Sequence, residues 1–355
     1  ISGEVRGPVR HLRSGNLVVS SKSGNTFLSI GNVKVDGLPN AKNTIISADV
    51  NNCNTTGNDL AEIISSINNS QKIEFLQNLT PFTKYNFSGT VKGKFDDLFA
   101  AGELSSSVGT LMLSANIKRG AKAAGRTQVE GYVDSQNFDL GAITGNRVIG
   151  DVTAKAALKV IAGGRGGVSV AMDSVRINKL VYNGYAYSNI YAKGKYQNES
   201  FDGKVICHDQ NLDMMFQGYI SLNSKTTRKY NFYANIPYAD LAATHLDTRD
   251  SVSVISTSMQ ADFTQSPKND VFGYLNINNA TYINSSGNYD IGPVKAVSKF
   301  ESGKYIIDFT SNFAKGEYEG TGKVTDFIGK IKSLIIYRNF SNLLETRVRN
   351  TFGST

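Results

Sequence analysis

Three consecutive side chains, Cys207, His208 and Asp209, carry the groups of a thiol hydrolase: a nucleophile, a base and an orienting carboxylate. Their spacing defeats that chemistry. Phe201, Gly203, Val205 and Cys207 alternate with Asp202, Lys204 and His208, which is the period of a strand, and neighbours on a strand point to opposite faces. The thiol and the imidazole therefore cannot meet. Histidine occurs only at 11, 208 and 245, and no G-x-S-x-G, H-E-x-x-H or phosphate-loop sequence is present. The chain reads as a non-enzyme with no cofactor and no metal site.

Other groups that invite chemistry have plainer readings. Gly163-Gly164-Arg165-Gly166-Gly167 resembles a phosphate loop, but Val168-Ser169-Val170 after it alternates like a strand, so a flexible hairpin turn is expected. Cys53 and Cys207 lack CxxC spacing and a nearby His cluster, and are expected to be two separate half-buried thiols, although a disulfide in an oxidising compartment stays open. Sequons such as Asn78-Leu79-Thr80, Asn86-Phe87-Ser88, Asn198-Glu199-Ser200 and Asn279-Ala280-Thr281 arise by chance in a chain rich in Asn, Ser and Thr. Tyr191, Tyr219 and Tyr233 have the form of base-stacking tyrosines, yet cross-strand pairing explains them, and no nucleic-acid partner is expected.

The elements that carry these groups are strands. Between Tyr185 and Leu222 one pattern is stated three times, with Ile190, Ala192 and Gly194 in the first run and Leu212, Met214, Phe216, Gly218, Ile220 and Leu222 in the third. Gln197-Asn198-Glu199-Ser200 and Asp209-Gln210-Asn211 separate the runs, so the segment reads as an antiparallel meander with tight connections. The rhythm extends back through Phe87, Val91 and Phe95, through Leu113 and Ile117, and through Val129 and Val133. It extends forward through Phe232 and Ile236, Leu275 and Ile277, and Ile307 and Phe309. Nearer the N-terminus, short strands are expected at 17–20, 26–30, 33–35 and 44–48.

Two stretches break this rhythm. From Asp59 to about Leu79, Leu60, Ile63, Ile64 and Ile67 fall at helical spacing behind a capping box of Asp59 and Glu62. From Val324 to Phe352, Phe327, Ile328, Ile331, Leu334 and Ile335 fit an amphipathic helix, although 333–337 alone also fits a strand.

Composition sets the remaining bounds. Hydrophobic residues are 40% of 355, Trp is absent and mean hydropathy is -0.25, so core material is lean for the length. The formal charge of +8 suits phosphate-bearing partners, but Lys and Arg are spread over outward strand positions except in Lys118-Arg119-Gly120-Ala121-Lys122. No apolar run is long enough to cross a bilayer, and the opening ISGEVRGPVR has neither the charged nor the apolar region of a leader, so the chain is expected to be a piece of a longer protein. If roughly 20 to 25 strands stack at about 4.8 Å, the sheet is about 100 to 120 Å long, and it must close, fold over or leave an apolar face open.

The order of several short phrases is similar to the TamB proteins of the AsmA-like group. They are Gly184-Tyr185-Ala186-Tyr187-Ser188-Asn189-Ile190, then Gly194, Asn198-Glu199-Ser200-Phe201-Asp202-Gly203, Asp209-Gln210-Asn211-Leu212 and Phe216-Gln217-Gly218. Phe87-Ser88-Gly89-Thr90-Val91-Lys92-Gly93, Gly102-Glu103-Leu104, Gly109-Thr110-Leu111 and Gly37-Leu38-Pro39 with Asp59-Leu60 add to the likeness, which covers most of 1–236. The family's N-terminal membrane anchor and C-terminal domain are missing, as for a central fragment.

The resemblance implies an all-β fold with one or two short helices, in which a long antiparallel sheet curls into a U-shaped trough, the β-taco, with an apolar interior. It implies a periplasmic conduit carrying phospholipid between the inner and outer membranes, with a BamA-like outer-membrane barrel of the TamA type as partner and an association with outer-membrane protein assembly. The expected segments are 1–58 (meander), 59–80 (helical insert), 81–325 (continuous trough) and 326–355 (terminal helix). The expected acyl-chain wall is Phe87, Val91, Phe95, Leu113, Ile117, Ile190, Val205, Leu212, Met214, Phe216, Ile220, Leu222, Phe232, Ile236, Leu275, Ile277, Ile307 and Phe309. The alternative is a surface adhesin or structural β-protein with a closed core.

Overall fold

A computed structural model describes residues 1–21, 24–59, 62, 84–94, 96–120, 126–163, 167–268, 270–312 and 315–321. The fold is all-β and antiparallel, and it divides into two compact units, Ile1–Gln197 and Asn198–Thr355. The terminal helix expected at 326–355, Phe95, and all but Asp59 and Glu62 of the insert expected at 59–80 lie outside the described residues.

The first unit is a meander of β1 (Ser2–Gly3), β2 (His11–Ser20), β3 (Phe27–Asp36), β4 (Ile45–Thr56), β5 (Lys84–Lys94), β6 (Asp97–Ser106), β7 (Gly109–Arg119), β8 (Arg126–Asp139), β9 (Ile149–Gly163), β10 (Ser169–Tyr182) and β11 (Tyr185–Gln197). Each strand pairs with the next in sequence. Asn183 and Gly184 both take positive φ in the two-residue link from β10 to β11, the conformation that matches a tight turn to strand twist. The expected strands at 26–30 and 33–35 are one strand, β3, because Asn32 takes a φ of 49° there and absorbs the break as a bulge against β4. A five-residue helix, Leu140–Thr144, fills the link from β8 to β9. Asp139 caps it by accepting from the Ala142 N–H at 2.9 Å, and left-handed Gly145 ends it.

The second unit continues the same way with β12 (Ser200–Asp209), β13 (Leu212–Ser221), β14 (Arg228–Asp240), β15 (Ser253–Gln265), β16 (Val271–Asn284), β17 (Gly287–Asp290), β18 (Val294–Glu301), β19 (Lys304–Ser311) and β20 (Lys315–Gly320). Both β17 and β18 pair with β16, so they form one strand interrupted at 291–293, where the N–H groups of Ile291 and Gly292 donate to the Ala280 carbonyl. Among the described residues no ladder joins the first strand of either unit to its last, and neither unit closes into a barrel.

Burial is shallow throughout. Of the described Leu, Ile, Met and Phe side chains only Phe138, Phe216 and Ile307 are buried, and the side chains sealed below 2% exposure that are largest are Thr44, Thr244 and Ser253. The ladder hydrogen bonds and one-sided contacts hold these sheets, in place of a thick core.

Candidate functional site: the apolar sides of the two units

Register partners in an antiparallel ladder point to the same side of the sheet, so rows can be followed from strand to strand. In the first unit one row runs Phe87, Leu104, Leu111, Ser135, Ala154, Ile177, Ile190, and the next runs Gly89, Gly102, Leu113, Val133, Ala156, Val175, Ala192. The two that follow are Val91 to Gly194 by way of Ala100, Ala115, Gly131, Leu158 and Met172, and Gly93 to Tyr196 by way of Leu98, Ile117, Val129, Val160 and Val170. None of these residues is charged. In β5 the exposure alternates at every residue from Lys84 to Lys94, with Phe87 and Val91 half-buried.

Apart from Arg119, at the end of the last of these rows, strand charge lies on the other side. Lys155 meets Asp134 at 3.0 Å, Lys159 meets Glu130 at 3.4 Å, Lys179 meets Asp151 at 3.7 Å and Lys118 meets Asp97 at 3.8 Å, each across neighbouring strands. The Asp134 carboxylate raises the Lys155 ammonium pKa above its ordinary value through their hydrogen bond. These are exposed pairs, each worth at most ~1 kcal/mol, and they mark the wet side more than they hold it.

The second unit repeats the division. Val205, Phe216, Ala234, Met259, Ile277 and Val294 form one row, and Gly203, Gly218, Phe232, Ala261, Leu275, Ala296 and Phe309 the next. A third contains Ile220, Tyr230, Phe263, Gly273, Ser298 and Ile307. Aromatic rings cluster there: Phe216 lies 6.2 Å from Phe201 and 5.4 Å from Phe232, and Tyr230 stacks on Phe263 at 4.6 Å. Met214 pairs with Cys207, Leu212 with Ala239, and Ile236 with Thr257 beside a bulge, all on this side.

The wall expected from sequence thus gathers on one side within each unit: Phe87, Val91, Leu113, Ile117 and Ile190 in the first, and Val205 through Phe309 in the second. Leu222 departs from it. It lies one residue past β13, is 59% exposed, and its N–H donates to the Glu199 carbonyl. Phe95 lies outside the described residues. Sequence reading missed Leu158, Val160, Met172, Val175 and Ile177 on β9 and β10. Three register shifts between these strands turn the apolar spacing from two into an irregular two and three, which hides the period.

The supposed catalytic trio is split as its spacing requires. Cys207 is 2% exposed on the apolar side, while His208 holds Asp213 at 2.8 Å on the other. Neither cysteine is in a disulfide, and Cys53 is half-buried. Residues 164–166 of the glycine-rich run lie outside the described residues; Gly163 ends β9, and after Gly167 and Val168 the chain enters β10. Tyr191, Tyr219 and Tyr233 sit on the charged side beside Arg176, Asn231 and Gln260 as register partners. Among the described residues no cluster of His, Cys, Asp or Glu could hold a metal ion, and no helix is long and apolar enough to cross a membrane.

Apolar and charged sides differ in chemistry but neither is sealed. In a face covered by a second protein layer the central Leu and Ile lose nearly all exposure, whereas Leu104, Leu111, Leu113, Ile117, Val129 and Val133, in the middle of the first sheet, all remain half-buried. No protein-family model matches the chain, and neither a characterised protein nor a solved structure does.

Proposed function

We propose that the chain is a segment of a non-enzymatic lipid conduit, in which the uncharged sides of its sheets line a U-shaped trough for phospholipid acyl chains. The reading extends to a periplasmic place between inner and outer membranes, with the membrane anchor and the contact to a BamA-like outer-membrane barrel in parts of the protein outside this segment. An association with outer-membrane protein assembly belongs to the same proposal. The observation that carries it is the broad apolar side within each unit, with charge, among the described residues, only near its margins at Arg119, Asp209 and Arg228, on which most large apolar residues stop at half-burial.

Such a surface is costly in water and is stabilised by anything apolar laid along it. Each methylene moved from water onto the face contributes about 0.8 kcal/mol, so an acyl chain of ordinary length is a sufficient ligand. Strands of ten to fifteen residues, at about 3.3 Å per residue, are also longer than such a chain. Charges in the middle of the apolar side would oppose it, and the chain keeps nearly all of its strand charges on the other.

The test is extraction and mass spectrometry of lipid from the purified protein, with Met214→Asp as the variant. Met214 is the better choice over Phe216, because Phe216 is 9% exposed with two ring neighbours and its loss disturbs the sheet itself. Phospholipid recovered from wild type and lost from a folded Met214→Asp protein is the expected result. A protein that carries no lipid when expressed in an envelope-containing host, with its apolar residues packed in a closed core, identifies the adhesin reading instead.

A further inference from the structure

In an antiparallel meander alternate connections lie at the same end of the sheet. In the first unit this sorts charge by end. The connections β1–β2, β5–β6 and β7–β8 bring Arg10, Lys92, Lys94, Lys118, Arg119 and Arg126 to one end, whereas β4–β5 and β8–β9 bring Asp59, Glu62, Asp139 and Asp151, with Lys84 and Arg147 among them, to the other. Asp36, Asp96 and Asp97 offset part of the basic end, with Asp97 already engaged by Lys118 and Asp36 by His11 and Arg13.

Arg119 differs from its basic neighbours in the side it takes. It pairs with Thr127, one step beyond Ile117 and Val129, and so ends the uncharged row of the apolar side. It is the one charged residue in the strand rows of that side among the described residues of the first unit. It is half-buried and has no salt-bridge partner among the described residues, and the connection that follows, Gly120-Ala121-Lys122-Ala123-Ala124-Gly125, contains no carboxylate. A half-buried guanidinium at the margin of an apolar face needs an anion to complement it, and its fork of donors matches a phosphate with two parallel hydrogen bonds.

We infer that Arg119, backed by the basic end of the first sheet, holds the phosphate of a phosphate-bearing diacyl lipid whose tails lie on the rows that begin at Ile117. This rests on the conduit reading and adds to it the orientation of the cargo: headgroup at the basic end, tails along the strands. A cation placed on the apolar side discriminates lipids by their phosphate, which a wall of Leu and Ile cannot do.

The experiment loads the protein from vesicles containing equal amounts of dioleoylphosphatidic acid and dioleoylglycerol, molecules that differ in the phosphate alone. Bound lipid is separated by gel filtration and measured by mass spectrometry. Wild type is expected to be enriched in the phosphatidic acid. Arg119→Glu and the milder Arg119→Gln are expected to lower that ratio about tenfold while still retaining diacylglycerol, as for loss of a charge-assisted contact. Lys193→Glu makes the same charge change at an exposed position on the opposite side, four strands from Arg119, and is expected to leave the ratio within about twofold of wild type. Equal loading of the two lipids by wild type, or equal effects of Arg119→Glu and Lys193→Glu, overturns the inference while the conduit stands. If neither lipid is retained, the conduit reading falls and the inference falls with it.

Discussion

Cys207 and Met214 face each other across the hairpin of β12 and β13 on the apolar side, while the next pair along, His208 and Asp213, faces the opposite way. The thiol is 2% exposed, and burial pushes its pKa up from 9.0 to about 11. Because the folded value is raised, the neutral thiol stabilises the fold fully below pH 9.0, and that contribution is lost as pH rises through about 11. Cys207→Ala is therefore expected to flatten the fall of urea midpoint between these values. At pH 8 a thiol reagent is expected to modify half-buried Cys53 first and Cys207 only on unfolding. Fast labelling of Cys207 in the folded protein contradicts its position against Met214.

Acid should act on the connection between β14 and β15. There the Arg249 side chain donates to both carboxylate oxygens of Asp247 at 2.8 Å, the Arg249 N–H adds a third bond at 3.1 Å, and the Ser253 hydroxyl donates at 3.3 Å. The Arg249 guanidinium holds the Asp247 carboxyl far below the usual carboxylate range. A lowered folded pKa contributes stability above the unfolded value, about 3.9, that is lost as pH falls through the folded one. Asp247→Asn is thus expected to unfold earlier than wild type at pH 7, with the gap in thermal midpoint narrowing from about pH 4 downward. A gap that stays constant to pH 2 means that the carboxylate charge is not what the connection uses.

The strands were legible wherever the apolar period of two ran uninterrupted. Phe87 to Gly93, Leu111 to Ile117 and Leu212 to Ile220 fell on one side as their spacing required, since a residue cannot change side without a bulge. Where bulges intervene, as at Asn32 in β3 and between Met172 and Val175 in β10, the period is lost and so was the side assignment. Leu222 shows the converse error: its parity is right, but the strand ends at Ser221. The Leu140–Thr144 helix was hidden because its cap and stop, Asp139 and Gly145, enclose too few residues to show a helical period. The sorting of charge by end needed the order of the connections, which exists in the pairing of strands and not in any local window.

Gly89 and Gly102 are register partners in the middle of the first sheet's apolar side, and a methyl group there has nowhere to go. A Cβ on Gly102 would stand 2.2 Å from the Ser88 carbonyl oxygen, 2.8 Å from the Gly89 Cα and 2.9 Å from the Phe87 ring, and two of these three are backbone atoms that cannot swing aside. The glycine pair therefore lets β5 and β6 approach closely on the side proposed to carry lipid. Gly102→Ala is expected to cost ~1–3 kcal/mol by urea unfolding, the usual range for overpacking. Gly15→Ala, where nothing lies within 4 Å, is expected to stay within ~0.5 kcal/mol of wild type. The comparison isolates the close approach from the general effect of removing a glycine, because both substitutions restrict the unfolded chain alike. Should the two cost the same, β5 and β6 do not bend together at this point, and the local curvature on which a trough depends is absent there.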